Sequence, residues 1–271
     1  MKRTIYIALL VILSAVFLVS VSYIVIYMVD SYQQKDLYND LASLVSTSPP
    51  GETSSTEPVK VVIPRPDDST TPSGEEPEGD TVLEEYAALY LQNTDMVGWI
   101  RIEGTNINYP VMQTPDRKDY YLHRNFYEES SDHGTIYVRE VCDVFAPSDN
   151  ITIYGHHMRD NSMFANLIKY RTKSFWEEHR YITFDTLTEH HTYEIVSVFR
   201  TTATQGKGFA YHQFVNAANE EEFDQFIATC KRLDYYETGV TAQYGDKLIS
   251  LSTCEYTQTN GRLVVVAKRI S

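Results

Sequence analysis

Twenty-five consecutive residues without a charge, Ile5 to Val29, constrain this chain more than any other stretch. As a helix they span roughly 37 Å at about 1.5 Å per residue, which exceeds a hydrocarbon core of about 30 Å. No polar face is available for a water-exposed helix, so the segment is expected to cross a membrane once. Lys2 and Arg3 precede it and Asp30 follows it. The basic end favours the cytoplasm, leaving residues 1–4 as a cytoplasmic stub and the remainder of the chain outside. A cleaved signal peptide would have a shorter apolar region and a small-x-small cleavage site, whereas Tyr27-Met28-Val29-Asp30 stands here. The expectation is therefore an uncleaved anchor over 5–29.

Charge and proline divide the rest. Residues 46–80 hold seven of the ten prolines, two basic groups against eight acidic ones, and no aromatic residue. Such a segment cannot bury enough apolar surface to offset its chain entropy, and its prolines keep it extended. Residues 30–80 are read as an extracellular stalk, with a short helix over 30–45 and no fold from 46 on. Residues 81–271 have the composition of one globular domain. The chain's net charge of −14 lacks the basic footprint that nucleic acid requires.

Within 81–271, Val82, Leu83, Tyr86, Leu89 and Tyr90 recur at helical spacing and predict a helix to about Asn93. Gly98 to Met112 reads as strand, turn, strand. Further strands are expected at 135–138, 151–154, 181–184, 192–201, 247–252 and 262–270, a count that suits a barrel or a sandwich. One helix interrupts them. Asn219 and Glu222 form a capping-box pattern, followed by Phe223, Phe226, Ile227, Cys230 and Leu233 on one face. Cys230 is thereby read as a core residue. Cys142 has no informative context.

Cys254 differs. It ends the apolar run 248–253, faces a short loop, and is followed by Arg262 at the start of another apolar run. If the two strands form a hairpin, Cys254 and Arg262 stand opposite one another at its mouth. A thiol is only a few per cent ionised at neutral pH. Nearby positive charge favours the thiolate, and Arg carries several donors for a developing oxyanion. An acid or base is required next. His156 and His157 end the strand 151–154, where a barrel rim would present them. His190-His191 lies in a polar turn and reads as solvated, while His179 and His212 have no motif. No CxxC or HExxH spacing suggests a metal, and Gly206-Lys207-Gly208 lacks the phosphate-loop spacing. No metal or cofactor is expected.

Tyr154-Gly155-His156-His157-Met158, with Met163-Phe164 and Leu167, resembles the histidine motif of sortases. Ser250-Leu251-Ser252-Thr253-Cys254 resembles their TLxTC motif, with Ser250 where Thr is usual, and Arg262 falls where the family has its arginine. The segments Asp95 to Ile100, Tyr109-Pro110-Val111 and Tyr120-Tyr121-Leu122, and the helix at 220–233, resemble class B in particular. The resemblance covers roughly residues 83–271. It implies a mainly β fold, a closed eight-stranded barrel with N-terminal helices and a helix before the cysteine strand. It also implies a membrane-anchored cysteine transpeptidase that cleaves the C-terminal sorting signal of secreted surface proteins after a threonine. The thioacyl intermediate would then pass to an amine, usually of peptidoglycan. Cys254 becomes the nucleophile, Arg262 the oxyanion donor and His156 the acid and base. The motif selects His156 over His157, and strand alternation points the two apart, so His157→Ala is expected to keep most activity. Ser252, Glu255 and His123 become candidate substrate contacts. Two other readings remain: a tethered cysteine peptidase that only hydrolyses, and a non-catalytic surface binding module, for which the 21 tyrosines argue.

Overall fold

The computed structural model describes residues 2–46, 61–64, 79–204, 206–257 and 259–271. They fall into two compact units, Met1–Asn39 and Asp40–Ser271. The first lies within one helix, α1 (Lys2–Ser46), which is not interrupted at Asp30. It is long and apolar enough to cross a membrane. Ser20 and Ser22 return their hydroxyls to the carbonyls of Val16 and Leu18, each at 2.9 Å. This satisfies both hydroxyls within the helix, as an apolar solvent requires.

Of the segment expected to lack a fold, residues 47–60 and 65–78 lie outside the described residues. The described parts form a small ribbon, Val62–Pro64 paired antiparallel with Gly79–Thr81. The helix expected over 82–93 is shorter, α2 (Glu84–Tyr90), and buries Tyr86 and Leu89.

Eight strands follow: β1 (Met96–Arg101), β2 (Asn108–Met112), β3 (Ile136–Val138), β4 (Asn150–Tyr154), β5 (Tyr181–Thr186), β6 (Thr192–Thr202), β7 (Leu248–Glu255) and β8 (Gly261–Arg269). They close into a barrel in the order β8-β6-β5-β1-β2-β3-β4-β7. Two neighbouring pairs are parallel, β2 with β3 and β4 with β7, and the others are antiparallel. Closure removes the unpaired edges that an open sheet would expose.

The run Leu263-Val264-Val265-Val266-Ala267 in β8 is buried on both faces. The reason is α4 (Glu220–Leu233), which lies before β7 in the chain. Its Phe223, Phe226, Ile227 and Cys230 form one apolar cluster with Val264 and Val266. By alternation, Leu263, Val265 and Ala267 line the barrel interior. Asn219 Oδ1 accepts the Glu222 N–H at 3.0 Å, while Glu222 reaches back to the Ala218 N–H at 2.9 Å. That is one residue earlier than the usual capping box. Glu220 to Glu222 occupy the first turn and Lys231 and Arg232 the last, both favourable to the helix dipole. A short helix, α3 (Lys173–Glu178), packs Trp176 into the core before β5.

Candidate active site

β7 and β8 form the expected hairpin, and their register places Cys254 directly across from Arg262. Directly opposed residues have Cβ atoms about 4.5–5.5 Å apart, so the thiol and the guanidinium stem share one face. Ser252 lies on that face as well, two residues before Cys254. The histidine strand β4 runs parallel to β7 with Tyr154 beside Ser252, and the Gly155 N–H continues the ladder to Ser252 O at 3.2 Å. A side chain at 155 would meet Phe164 and Ile136 carbons within 2.7 Å. Glycine therefore lets Phe164 and Ile136 pack against the backbone just before His156.

His156, Cys254, Arg262 and Ser252 line one cleft of about 340 Å³. His156 Nε2 lies 2.7 Å from Leu122 O. A carbonyl only accepts, so Nε2 carries hydrogen and Nδ1 is the basic nitrogen of the neutral ring. The His156 phenylalanine neighbour, Phe164, donates its N–H to His156 O at 2.9 Å. Burial holds the His156 pKa below 6.5, assisted by His123 and His133, against the opposing hydrogen bond to Leu122 and the charge of Asp132.

The expected substrate contacts separate. Ser252 lines the cleft, yet it is 2% exposed and its hydroxyl is 2.5 Å from Tyr211 OH. His123 stands beside His156, ring centroids 5.7 Å apart, and is not among the cleft lining. Glu255 points away from the Cys254 face and is buried. Its carboxylate sits 3.7 Å from Arg171 and accepts from Thr257 N–H and Oγ1 at 3.2 and 2.7 Å. It braces the β7–β8 turn from behind rather than facing the cleft.

Sequence reasoning missed other parts of the cleft. Tyr211 and His212 enter it from a short turn of 3-10 helix, Tyr211–Gln213. Burial pushes the Tyr211 pKa up. Burial, then Arg139, pushes that of His212 down, and the Arg139 guanidinium donates to His212 O. No spacing rule marks either residue, because their place depends on a loop folding back across the barrel. The reading of His190-His191 as solvated holds for His190 alone. His190 is exposed and pairs with Glu85 at 3.2 Å and Asp185 at 3.0 Å. His191 is buried, its N–H donating to Asp185 at 3.1 Å, because the turn folds the second histidine back beside Arg269.

All three cysteines are free thiols. Cys230 is fully buried in the α4 cluster, and burial raises its pKa and that of Cys142. Cys142 Sγ points at Asn150 O, 3.6 Å away. Cys254 is the one of the three that is not fully buried. Among the described residues, no group of three or more His, Cys, Asp or Glu side chains is placed to hold a metal.

A closed mixed barrel thus carries a partly exposed cysteine, an arginine facing it, and a histidine just past the end of the adjoining strand. Residues 100–270 match the family described as "Sortase domain", and the chain belongs to the sortase family of cysteine transpeptidases. Within it, the similarity is to class B. Sortase B of Staphylococcus aureus is 34% identical over 191 residues, 70% of this chain and 76% of that relative. The structure described as a Staphylococcus aureus sortase B–substrate complex superposes with a TM-score of 0.71 at 28% identity, covering 90% of this chain and 99% of that one. Sortase B from B. anthracis in complex with AAEK1 gives a TM-score of 0.69 at 30% identity, with 90% and 99% covered.

Proposed function

We propose that this chain is a membrane-anchored class B sortase that cleaves a C-terminal sorting signal after threonine and joins the new carboxyl end to a cell-wall amine. The observation that carries the reading is the convergence of Cys254, Arg262 and His156 on one cleft from three strand ends. Residues 5–29 are the single membrane span with the N-terminus cytoplasmic, 30–80 the stalk, and 81–271 the catalytic domain outside the cell. Its partners are secreted surface proteins and a peptidoglycan amine.

In this reading the Cys254 thiolate attacks the threonine carbonyl carbon, and the Arg262 guanidinium donates to the oxyanion. Electrostatic stabilisation of that kind is worth about 10²–10³ in rate per donor. His156 gives a proton from Nδ1 to the departing amine, since Nε2–H stays on Leu122 O. The same atom then accepts a proton from the incoming amine as it attacks the thioester. General acid–base help contributes roughly 10²–10⁴. Because burial lowers the His156 pKa, its imidazolium is a stronger acid than one free in water.

The test is incubation of the full chain, in detergent micelles, with a library of threonine-containing sorting peptides and either triglycine or diaminopimelate, read by mass spectrometry. Expected are a Cys254-dependent thioacyl adduct and a ligated product. Hydrolysis alone in the presence of either amine would favour the peptidase reading. Release of the C-terminal fragment by a Cys254→Ala enzyme would refute both.

A further inference from the structure

His157 stands one residue beyond the proposed acid and has no role in the chemistry above. Its Nδ1 lies 3.1 Å from the backbone carbonyl of Cys254. A carbonyl cannot donate, so Nδ1 carries the hydrogen and His157 is the donor. The carbonyl it holds is one the sheet leaves unserved on that side. The parallel ladder between β4 and β7 ends at Tyr154 and Ser252, and its last bond runs from Gly155 N–H to Ser252 O. Two residues further along β7, Cys254 O points the same way, but β4 has already turned out of the sheet. The His157 ring fills the place of the missing ladder N–H.

The tie is doubled. Tyr256, just past the nucleophile, lays its ring against His157 with centroids 5.2 Å apart. Its hydroxyl donates to His157 O at 3.2 Å. On the other side the His157 backbone bridges Met163, within a loop that turns through positive φ at Asn161 and Met163. For methionine this is an uncommon conformation. The loop carrying His156 and the strand end carrying Cys254, 97 residues apart, are thus cross-linked at the nucleophile's own peptide group.

We infer that His157 is a positioning residue for Cys254. By holding the carbonyl it fixes the peptide plane after Cys254, hence the position of Sγ relative to a His156 on the same loop as His157. The kinetic part rests on the transpeptidase reading; the hydrogen bond does not. It also revises the expectation that His157→Ala keeps most activity.

The test compares His157→Ala, His157→Asn and His157→Gln in the full chain. An asparagine amide reaches about where Nδ1 lies, and a glutamine amide overshoots it. Expected for His157→Ala is a fall in kcat of about tenfold, consistent with one hydrogen bond, with KM within twofold. His157→Asn should return to within about threefold of the wild type, and His157→Gln should not. Independently of turnover, selective ¹³C-carbonyl labelling of cysteine reports the bond directly. The Cys254 resonance, assigned by its loss in Cys254→Ala, should move in His157→Ala and return in His157→Asn, while those of Cys142 and Cys230 stay in place. An unmoved Cys254 resonance, or equal rescue by asparagine and glutamine, overturns the inference. If the wild type shows no Cys254-dependent turnover, the proposed function fails, and the carbonyl resonance alone then decides the role of His157.

Discussion

Removing the Ser252 hydroxyl separates two roles that the sequence leaves merged. The family motif marks Ser252 as a candidate peptide contact, whereas the structure engages its hydroxyl with Tyr211 OH at 2.5 Å in a buried pair. If the hydroxyl serves Tyr211, Ser252→Ala strands a phenol that is only 3% exposed. A buried polar group without a partner costs about 1–3 kcal/mol. For a domain of this size that lowers Tm by about 2–4 °C per kcal/mol. Tyr211→Phe strands the serine instead and should cost a similar amount. The double variant leaves neither group unsatisfied, so its loss should be smaller than the sum of the two by about 1 kcal/mol or more, within the range for contacting residues. Urea titrations of the four proteins measure that coupling, and peptide cleavage measures KM and kcat in parallel. Additive losses, or a Ser252→Ala enzyme of unchanged stability with a raised KM, would refute the strut and restore the peptide-contact reading.

Other perturbations have equally definite outcomes. His123→Ala removes a like charge and some of the bulk beside His156, so the His156 midpoint followed by NMR should rise; a fall or no change contradicts the assigned causes. Arg262→Ala should lower kcat/KM about 10²–10³-fold, as for loss of an oxyanion donor, and Arg262→Lys should recover only part of it, because Lys lacks the planar fork; an alanine variant within threefold of wild type argues against the role. His156, His191 and His212 all have pKa values held below 6.5 in the fold by burial. The unfolded chain therefore binds more protons than the folded one as pH drops below about 6.5, and stability falls in that direction. Urea midpoints should decrease between pH 7.5 and 5.5, and a His191→Asn variant should show a shallower decrease. Asn219→Ala should cost about 1 kcal/mol through loss of the cap on Glu222 N–H, visible as a lower midpoint without change in kcat.

The strands were legible because their signals are local. The runs 248–253 and 263–266 are apolar and separated by one short loop, so a hairpin could be expected, and its register bears out the pairing of Cys254 with Arg262 that this implied. The same holds for α4, where the Asn219 cap and the Phe223, Phe226, Ile227 stripe lie within one stretch of chain. Legibility ended where a side chain's partner lies far along the chain. Ser252 meets Tyr211 across 41 residues and Glu255 meets Arg171 from a segment that precedes β5, and neither pairing leaves a periodic trace. Glu255 follows Cys254 immediately, which suggested the cleft, yet strand alternation turns it to the opposite face. The burial of His191 escaped for a related reason: composition marks a polar turn but not which of two adjacent residues the turn folds inward.

The parallel pairing of β4 with β7 has a kinetic consequence. Tyr154 and Ser252 are neighbours in the sheet but are separated by most of the barrel sequence, and without the β4–β7 pairing the barrel stays open. Contacts of such long sequence separation form late, since the loop entropy must be overcome before they stabilise anything. The cleft is therefore expected to be among the last features to form as the chain folds. A refolding molecule can have native-like α4 packing and most of its strands while still lacking any juxtaposition of thiol and imidazole. Recovery of Cys254-dependent activity should then coincide with the final refolding phase and not with the earlier gain of secondary structure, which makes catalysis its own report of barrel closure.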